Sequence, residues 1–218
     1  MYKAVLFDLD GTLLDTLQDL ADAANHTLRA LGLPEHARGE YRRMVGNGIP
    51  KLIERMLPAQ SRGPASQALA LEMFRRRYAA HSEDATAPYP GIPALLQTLR
   101  AAGVQLGVVS NKDDALARQV VEHYFPGVFD AVAGRRDGVA AKPDPTLVNE
   151  MREVFGRAEG ETLYVGDSDV DVFTAQNARL ACCGALWGFR TKEELAGAGA
   201  DYLAANADEL AQIVLGTM

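Results

Sequence analysis

Two aspartates, Asp8 and Asp10, close an apolar run in Lys3-Ala4-Val5-Leu6-Phe7-Asp8-Leu9-Asp10-Gly11-Thr12. The run reads as a buried strand, and residues two apart on a strand project to the same side. Two carboxylates held that close repel unless a cation sits between them. Hard oxygen ligands followed by a glycine turn suit Mg²⁺. Open parallel sheets bind ligands just outside the carboxyl ends of their strands. The first strand therefore delivers a candidate active site.

Three later stretches add polar groups of complementary kinds. Ser110 and Asn111 follow Val108-Val109, ahead of a helix expected to start near Asp113. A hydroxyl and backbone N–H groups at a helix N-terminus make an anion site. Lys142 precedes Pro143 and Pro145, which stiffen the backbone and initiate a helix. Asp167 follows Val165-Gly166, and Asp171 lies one helical turn further on, where i,i+4 residues share a face. Asp169, between them, reads as favourable charge at a helix N-terminus. Taken singly, each has a plainer reading: an Asp-Gly turn, an N-cap serine, a solvated lysine, an acidic capping run.

The elements that must position these residues follow from apolar periodicity. Strands are expected at Ala4–Phe7, Gln105–Val109, Thr162–Val165 and Ala181–Ala185, with Asp201-Tyr202-Leu203 as a short fifth. Amphipathic stretches at Ile92–Ala102, Asp114–Tyr124, Thr146–Phe155 and Val170–Asn177 separate them. Alternation of this kind predicts an α/β fold, a Rossmann-like parallel sheet with helices on both faces. Residues 16–87 break the rhythm. They read as helices at Leu17–Leu31, Arg38–Val45, Ile49–Leu57 and Ala65–His81, punctuated by Gly32-Leu33-Pro34 and Leu57-Pro58. The expected organisation is a core from residues 1–15 and 88–218, with a helical domain of residues 16–87 inserted after the first strand.

Composition limits the function classes. Twenty-two Lys and Arg against 29 Asp and Glu give a net charge of −7, with no basic tract, so nucleic acid is not the expected partner. Nor is a membrane, since no stretch approaches the ~20 apolar residues of a span. Asp8 and Asp10 interrupt the only early apolar run, which leaves no signal-peptide pattern. The two cysteines, Cys182 and Cys183, are adjacent, and with the absent signal they predict a reduced, cytoplasmic protein. The four histidines show no metal-ligand spacing, and the lone Trp187 is expected to pack in the core. The sequence leaves the oligomeric state open.

Together the four stretches resemble the motifs of the haloacid dehalogenase superfamily, in order and over nearly the whole chain. Asp8-Leu9-Asp10-Gly11-Thr12 resembles D-x-D-G-T, and Val108-Val109-Ser110-Asn111-Lys112 resembles a strand ending in Ser or Thr. Lys142-Pro143-Asp144-Pro145 resembles the motif lysine before a helix, and Gly166-Asp167-Ser168-Asp169-Val170-Asp171 resembles G-D-x-x-x-D. The inserted helices look like the family's cap domain. Val45-Gly46-Asn47-Gly48, Leu52-Ile53-Glu54-Arg55 and Tyr89-Pro90-Gly91 are similar to phosphoglycolate phosphatases.

The resemblance implies a Mg²⁺-dependent phosphatase acting on a small phosphorylated metabolite, with 2-phosphoglycolate foremost. Asp8 would be the nucleophile that forms an aspartyl-phosphate. Asp10 would be the general acid/base, its backbone carbonyl joining Asp8 and Asp167 on the metal. Gly11 would supply an unusual backbone angle and Thr12 would orient Asp10. Ser110 and the Asn111 N–H would hold the phosphoryl group, and Lys142 would offset its charge and that of Asp8. Asp171 would hold a metal-bound water or pair with Lys142. Other family chemistries stay open: a sugar-phosphate phosphatase, a mutase like β-phosphoglucomutase, a pyrophosphatase, or a phosphonate-cleaving enzyme with Lys51 as its Schiff-base lysine. A phospho-accepting protein without turnover and a metal-free dehalogenase fit less well, because Asp10 and the Asp167/Asp171 pair are retained.

Overall fold

A computed structural model describes residues 1–217. Eight strands occur in chain order: β1 (Ala4–Phe7), β2 (Leu14–Asp15), β3 (Ala87–Pro88), β4 (Gln105–Asp113), β5 (Ala131–Arg135), β6 (Thr162–Gly166), β7 (Ala181–Ala185) and β8 (Tyr202–Ala204). The first four helices are α1 (Leu17–Ala30), α2 (Tyr41–Met44), α3 (Ile49–Met56) and α4 (Pro64–His81). Six more follow: α5 (Ile92–Ala101), α6 (Asp114–Tyr124), α7 (Thr146–Phe155), α8 (Asp169–Asn177), α9 (Lys192–Ala198) and α10 (Ala207–Leu215).

The described residues divide into two compact units, residues 1–14 with 88–217, and Asp15–Ala87. In the first unit six parallel strands form one sheet in the order β5-β4-β1-β6-β7-β8. β1 is central, and its residues are all fully buried. Strand alternation divides them between the two faces. Val5 and Phe7 join Leu95, Leu99, Val120, Val121, Leu210 and Val214 on one side, under α5, α6 and α10. Ala4 and Leu6 join Val148, Met151, Phe155, Val172, Ala175 and Leu195 on the other, under α7, α8 and α9. A strand apolar on both faces is what a sheet covered twice requires. The sheet therefore aligns the carboxyl ends of β1, β4 and β6 side by side, with Phe7 level with Val108 and Val165.

Several elements differ from the sequence expectation: β2, β3 and β5 add to the five strands expected. β4 runs on to Asp113 rather than stopping at Val109, with an irregularity in its pairing to β5 between those residues. The helices α9 and α10 were not foreseen. Both open on local capping signals: Thr191 Oγ accepts from the Glu194 N–H, and Asn206 Oδ1 accepts from the Glu209 N–H.

The second unit is helical. α1 packs on α4, burying Leu20, Ala24 and Leu28 and, from α4, Ala70, Phe74 and Tyr78. α3 buries Leu52, Ile53 and Met56. Asp19, buried on α1, accepts from the Ala85 and Thr86 N–H groups and from Thr86 Oγ, which fastens the end of the unit to its first helix.

Candidate active site

Asp8 stands one residue past the end of β1, and its N–H donates to the Val165 carbonyl of β6. The main chain then turns sharply: the Gly11 N–H donates to the Leu14 carbonyl, and the Leu13 and Leu14 N–H groups both donate to Leu9. Gly11 has φ +93°, in the left-handed region, and a Cβ there would overlap the Asp167 carboxylate. Only glycine satisfies both constraints, so the turn brings the β1 and β6 ends together. The turn also swings Thr12 toward β6. Thr12 Oγ donates to Asp167 Oδ1 at 3.0 Å, so it orients Asp167 and not Asp10 as expected.

Asp8, Asp167 and Asp171 are all buried, and one carboxylate oxygen of each lies within 4.8 Å of the others. Lys142 Nζ stands among them, 2.9 Å from Asp8 Oδ1, 2.7 Å from Asp171 Oδ1 and 3.1 Å from the Tyr164 hydroxyl. Asp171 is saturated. Its Oδ1 accepts from Lys142 and Tyr164, and its Oδ2 accepts from the N–H and hydroxyl of Ser168, which caps α8. Of the two expectations for Asp171, the geometry places it against Lys142. Asp167 accepts from Thr12 Oγ and, through Oδ2, from the Phe189 N–H at 2.8 Å. Asp10 lies apart from this cluster. Both its oxygens accept from Lys112 Nζ, at 2.9 and 3.1 Å.

Lys142 is held by its main chain as well. Asn111 Oδ1 accepts from the Lys142 N–H at 2.8 Å, and Asn111 Nδ2 donates to the Lys142 carbonyl. This pair fixes the lysine at the end of β4. Ser110 is buried beside it and accepts from the Lys112 N–H. Because β4 extends to Asp113 and α6 starts at Asp114, Ser110 and Asn111 sit on strand backbone, not at the helix N-terminus expected for them.

A family model described as haloacid dehalogenase-like hydrolase matches residues 5–185. The chain belongs to the haloacid dehalogenase-like hydrolases. It is 35% identical over 188 residues to the phosphoglycolate phosphatase of Aquifex aeolicus, covering 86% of each chain. It is 34% identical over 219 residues to that of Vibrio parahaemolyticus, covering 97% of this chain and 96% of the other. The crystal structure of a candidate phosphoglycolate phosphatase from Lactobacillus delbrueckii subsp. bulgaricus matches with a TM-score of 0.94 at 32% identity, over 99% of both chains. CbbY from Rhodobacter sphaeroides, solved with phosphate, matches with a TM-score of 0.78 at 27% identity, over 96% of both. This haloacid dehalogenase-like hydrolase is a phosphatase acting on phosphoric monoesters.

The hydrolase's charge balance shows what the site lacks. Three buried carboxylates face one ammonium. Burial pushes the Asp8 carboxyl up to about 7, even though the Lys142 charge pulls the other way. Burial and the charges of Asp171 and Asp8 raise Asp167 well above the usual carboxylate range. Burial alone would lower Lys142, but Asp171 and Asp8 outweigh it and hold the lysine charged. Surplus negative charge away from water is costly unless a cation joins it. The donor set, all carboxylate oxygens, suits a hard divalent ion. The residues present thus fit a divalent metal. Among the described residues no other group of three or more His, Cys, Asp or Glu side chains could hold one.

Several contributors escaped the sequence reading. Tyr164 on β6 links Lys142, Asp171 and the Val109 carbonyl. Trp187 packs half-buried against the core as expected, and its indole N–H donates to the Thr12 carbonyl at 2.9 Å. A Cβ at Gly188 would overlap Asp167 and the Gly11 carbonyl, so residues 187–189 press on the Asp-Gly-Thr turn. Asp169 pairs with Arg190. In the helical unit Lys51 pairs with Glu54 at 2.7 Å. The glycines of Gly46-Asn47-Gly48, φ +108° and +82°, form the turn between α2 and α3.

Proposed function

We propose that this phosphatase hydrolyses a small phosphate monoester, 2-phosphoglycolate foremost, through an aspartyl-phosphate on Asp8, with Mg²⁺ as its metal. The observation that carries the reading is Asp8 itself: a buried carboxylate at a strand end, against one fixed ammonium and within a cluster short of positive charge. The phosphoglycolate phosphatases of A. aeolicus and V. parahaemolyticus support the substrate. Asp8, Asp167 and the Asp10 main-chain carbonyl would hold Mg²⁺, which when bound supplies positive charge to the phosphoryl oxygens.

The chain's own residues do the rest. Asp8 forms a bond to phosphorus as the bond from phosphorus to the ester oxygen breaks. The leaving oxygen takes a proton from the Asp10 carboxyl. A water then gives its proton to Asp10 and bonds to phosphorus. The bond between phosphorus and Asp8 breaks, inorganic phosphate leaves, and Asp8 is regenerated. Ser110 and the Asn111 N–H bind phosphoryl oxygens, and Lys142 offsets their charge as it grows. The helical unit acts as the cap that selects the leaving group, with Gly46-Asn47-Gly48 as its mobile loop. The enzyme works in the cytoplasm as a phosphatase of free metabolites.

A second reading, a sugar-phosphate substrate, has its own support: CbbY solved with xylulose-(1,5)bisphosphate matches with a TM-score of 0.77 at 26% identity. Phosphate release with Mg²⁺ from 2-phosphoglycolate, sugar phosphates, pyrophosphate and an aryl phosphate separates the readings. A preference for 2-phosphoglycolate, abolished in Asp8→Asn, supports the first. A preference for a sugar phosphate, equally abolished, keeps the mechanism and replaces the substrate. Release unaffected by Asp8→Asn refutes the mechanism.

A further inference from the structure

Two lysines are buried in the described core, Lys142 and Lys112, and each grips one of the two motif aspartates. Lys142 has an expected role. Lys112 has none in the reading above, yet its ammonium contacts both Asp10 oxygens, across 102 residues of chain. The two ends of this pair differ in exposure: the Lys112 side chain is 4% exposed and that of Asp10 is 21%. The lysine is therefore the fixed end, and the carboxylate is the end that reaches the open side of the site. A buried ion pair of this kind is weak evidence for stability, because desolvation offsets most of the attraction. Its position argues for another role. Asp10 is two residues from Asp8, yet its carboxylate is outside the Asp8, Asp167 and Asp171 cluster. An untethered carboxylate there could turn in and become one more oxygen ligand for a cation. The lysine is in turn placed by the extension of β4 beyond Val109 and by its own N–H, which donates to Ser110 Oγ.

We propose that Lys112 is the positioning residue for Asp10. It keeps the Asp10 carboxylate out of the metal cluster and presents it to the ester oxygen of the leaving group. This rests on the reading of Asp10 as general acid/base. As a carboxylate Asp10 gives both oxygens to Lys112, and once protonated it gives only the oxygen without the proton. The other carries the proton that passes to the leaving oxygen as its bond to phosphorus breaks, and later receives a proton from the attacking water. Lys112 makes and breaks no covalent bond.

The dependence on leaving group tests this. A poor alkoxide leaving group needs the acid, whereas 4-nitrophenolate leaves with little help. Lys112→Met is compared with wild type on 2-phosphoglycolate, or the fastest alkyl ester of the panel, and on 4-nitrophenyl phosphate. The expected result is a fall in kcat/KM, which ends at leaving-group departure and excludes the water attack that both esters share, of about 100-fold or more on the alkyl ester, the scale of general acid catalysis. On the aryl ester the fall in kcat/KM is several-fold only, with partial recovery in Lys112→Arg. Equal losses on both esters, or no loss, overturn the proposal. Should Lys112→Met not fold, Lys112→Gln, which keeps a donor but not the charge, must give the same split. Asp10→Asn, measured alongside, separates the two levels. If it shows the leaving-group split and Lys112→Met does not, only the role of Lys112 falls. If Asp10→Asn lowers kcat/KM equally on both esters, the acid reading falls and this proposal with it.

Discussion

The candidate site of the core unit and the helical unit of this haloacid dehalogenase-like hydrolase place their charges in opposite ways. In the core, Asp8, Asp167, Asp171, Lys112 and Lys142 are buried, and each is held by named partners. In the helical unit the pairs Arg29–Glu35 and Lys51–Glu54 lie largely in solvent, and the buried carboxylate Asp19 is spent on fastening a chain end. Chemistry needs groups fixed in low dielectric, where a charge acts strongly and does not reorganise. Exposed pairs of that kind are screened by solvent and contribute little. The candidate site therefore holds its charges in one fixed arrangement, while the helical unit carries exposed, screened pairs.

The sharpest way to break this contrast is substitution at its two extremes. Asp8→Asn should lower kcat by about 10⁴-fold or more, the scale seen when a nucleophile is removed. Lys51→Ala should change KM alone, by about tenfold at most, because a solvent-screened cation contributes little. A loss of kcat in Lys51→Ala comparable to that in Asp8→Asn would erase the division of labour and revive a role for Lys51 in chemistry.

Stability should follow the same division. Lys142→Met leaves Asp8 and Asp171 buried without their cation, and breaking such a pair costs about 3–5 kcal/mol. Urea denaturation of the metal-free protein measures it. Asp19→Ala strands the donors of Ala85 and Thr86, and should cost about 1–3 kcal/mol in the same experiment. Lys51→Ala should leave the midpoint within its scatter.

Metal and pH sharpen the comparison further. Folded Asp8 titrates near 7 and folded Asp167 is also raised, so between the ordinary carboxylate value of 3.8 and about 7 the folded state binds more protons than the unfolded state. The stability these two groups confer is therefore full below that window and is lost as pH rises through it in the metal-free protein. A divalent ion held by the ionised carboxylates would reverse the loss. At a hundred times its Kd, Mg²⁺ should add about 2.7 kcal/mol, or roughly 5–10 °C in Tm. Calorimetry should show this increment growing from pH 5 to pH 8. An increment that shrinks with pH would place the ion elsewhere.

What could be read in the sequence was what is local. The strand runs, the Asp-Gly turn and the Gly166-Asp167 end each lie within a few residues, and apolar periodicity separated the sheet from the inserted helices. What escaped was long-range. Thr12 reaching Asp167, Lys112 reaching Asp10 and Trp187 reaching Thr12 join positions 155, 102 and 175 residues apart. No periodicity encodes such pairings; they follow from which strand ends the sheet order places side by side. The extension of β4 was hidden because Ser110-Asn111-Lys112 is polar and reads as a loop, although the sheet holds it as strand. The caps at Thr191 and Asn206 are legible, since each places a glutamate three residues on, the local signal that opens α9 and α10.

The central claim is that Asp8 forms a bond to phosphorus. The most direct test is the stereochemistry of hydrolysis, with an isotopically chiral phosphorothioate monoester as substrate and isotope-labelled water as solvent. Two successive in-line displacements, at Asp8 and then at water, predict net retention of configuration at phosphorus. Inversion would mean that water attacks the ester directly and would contradict the account.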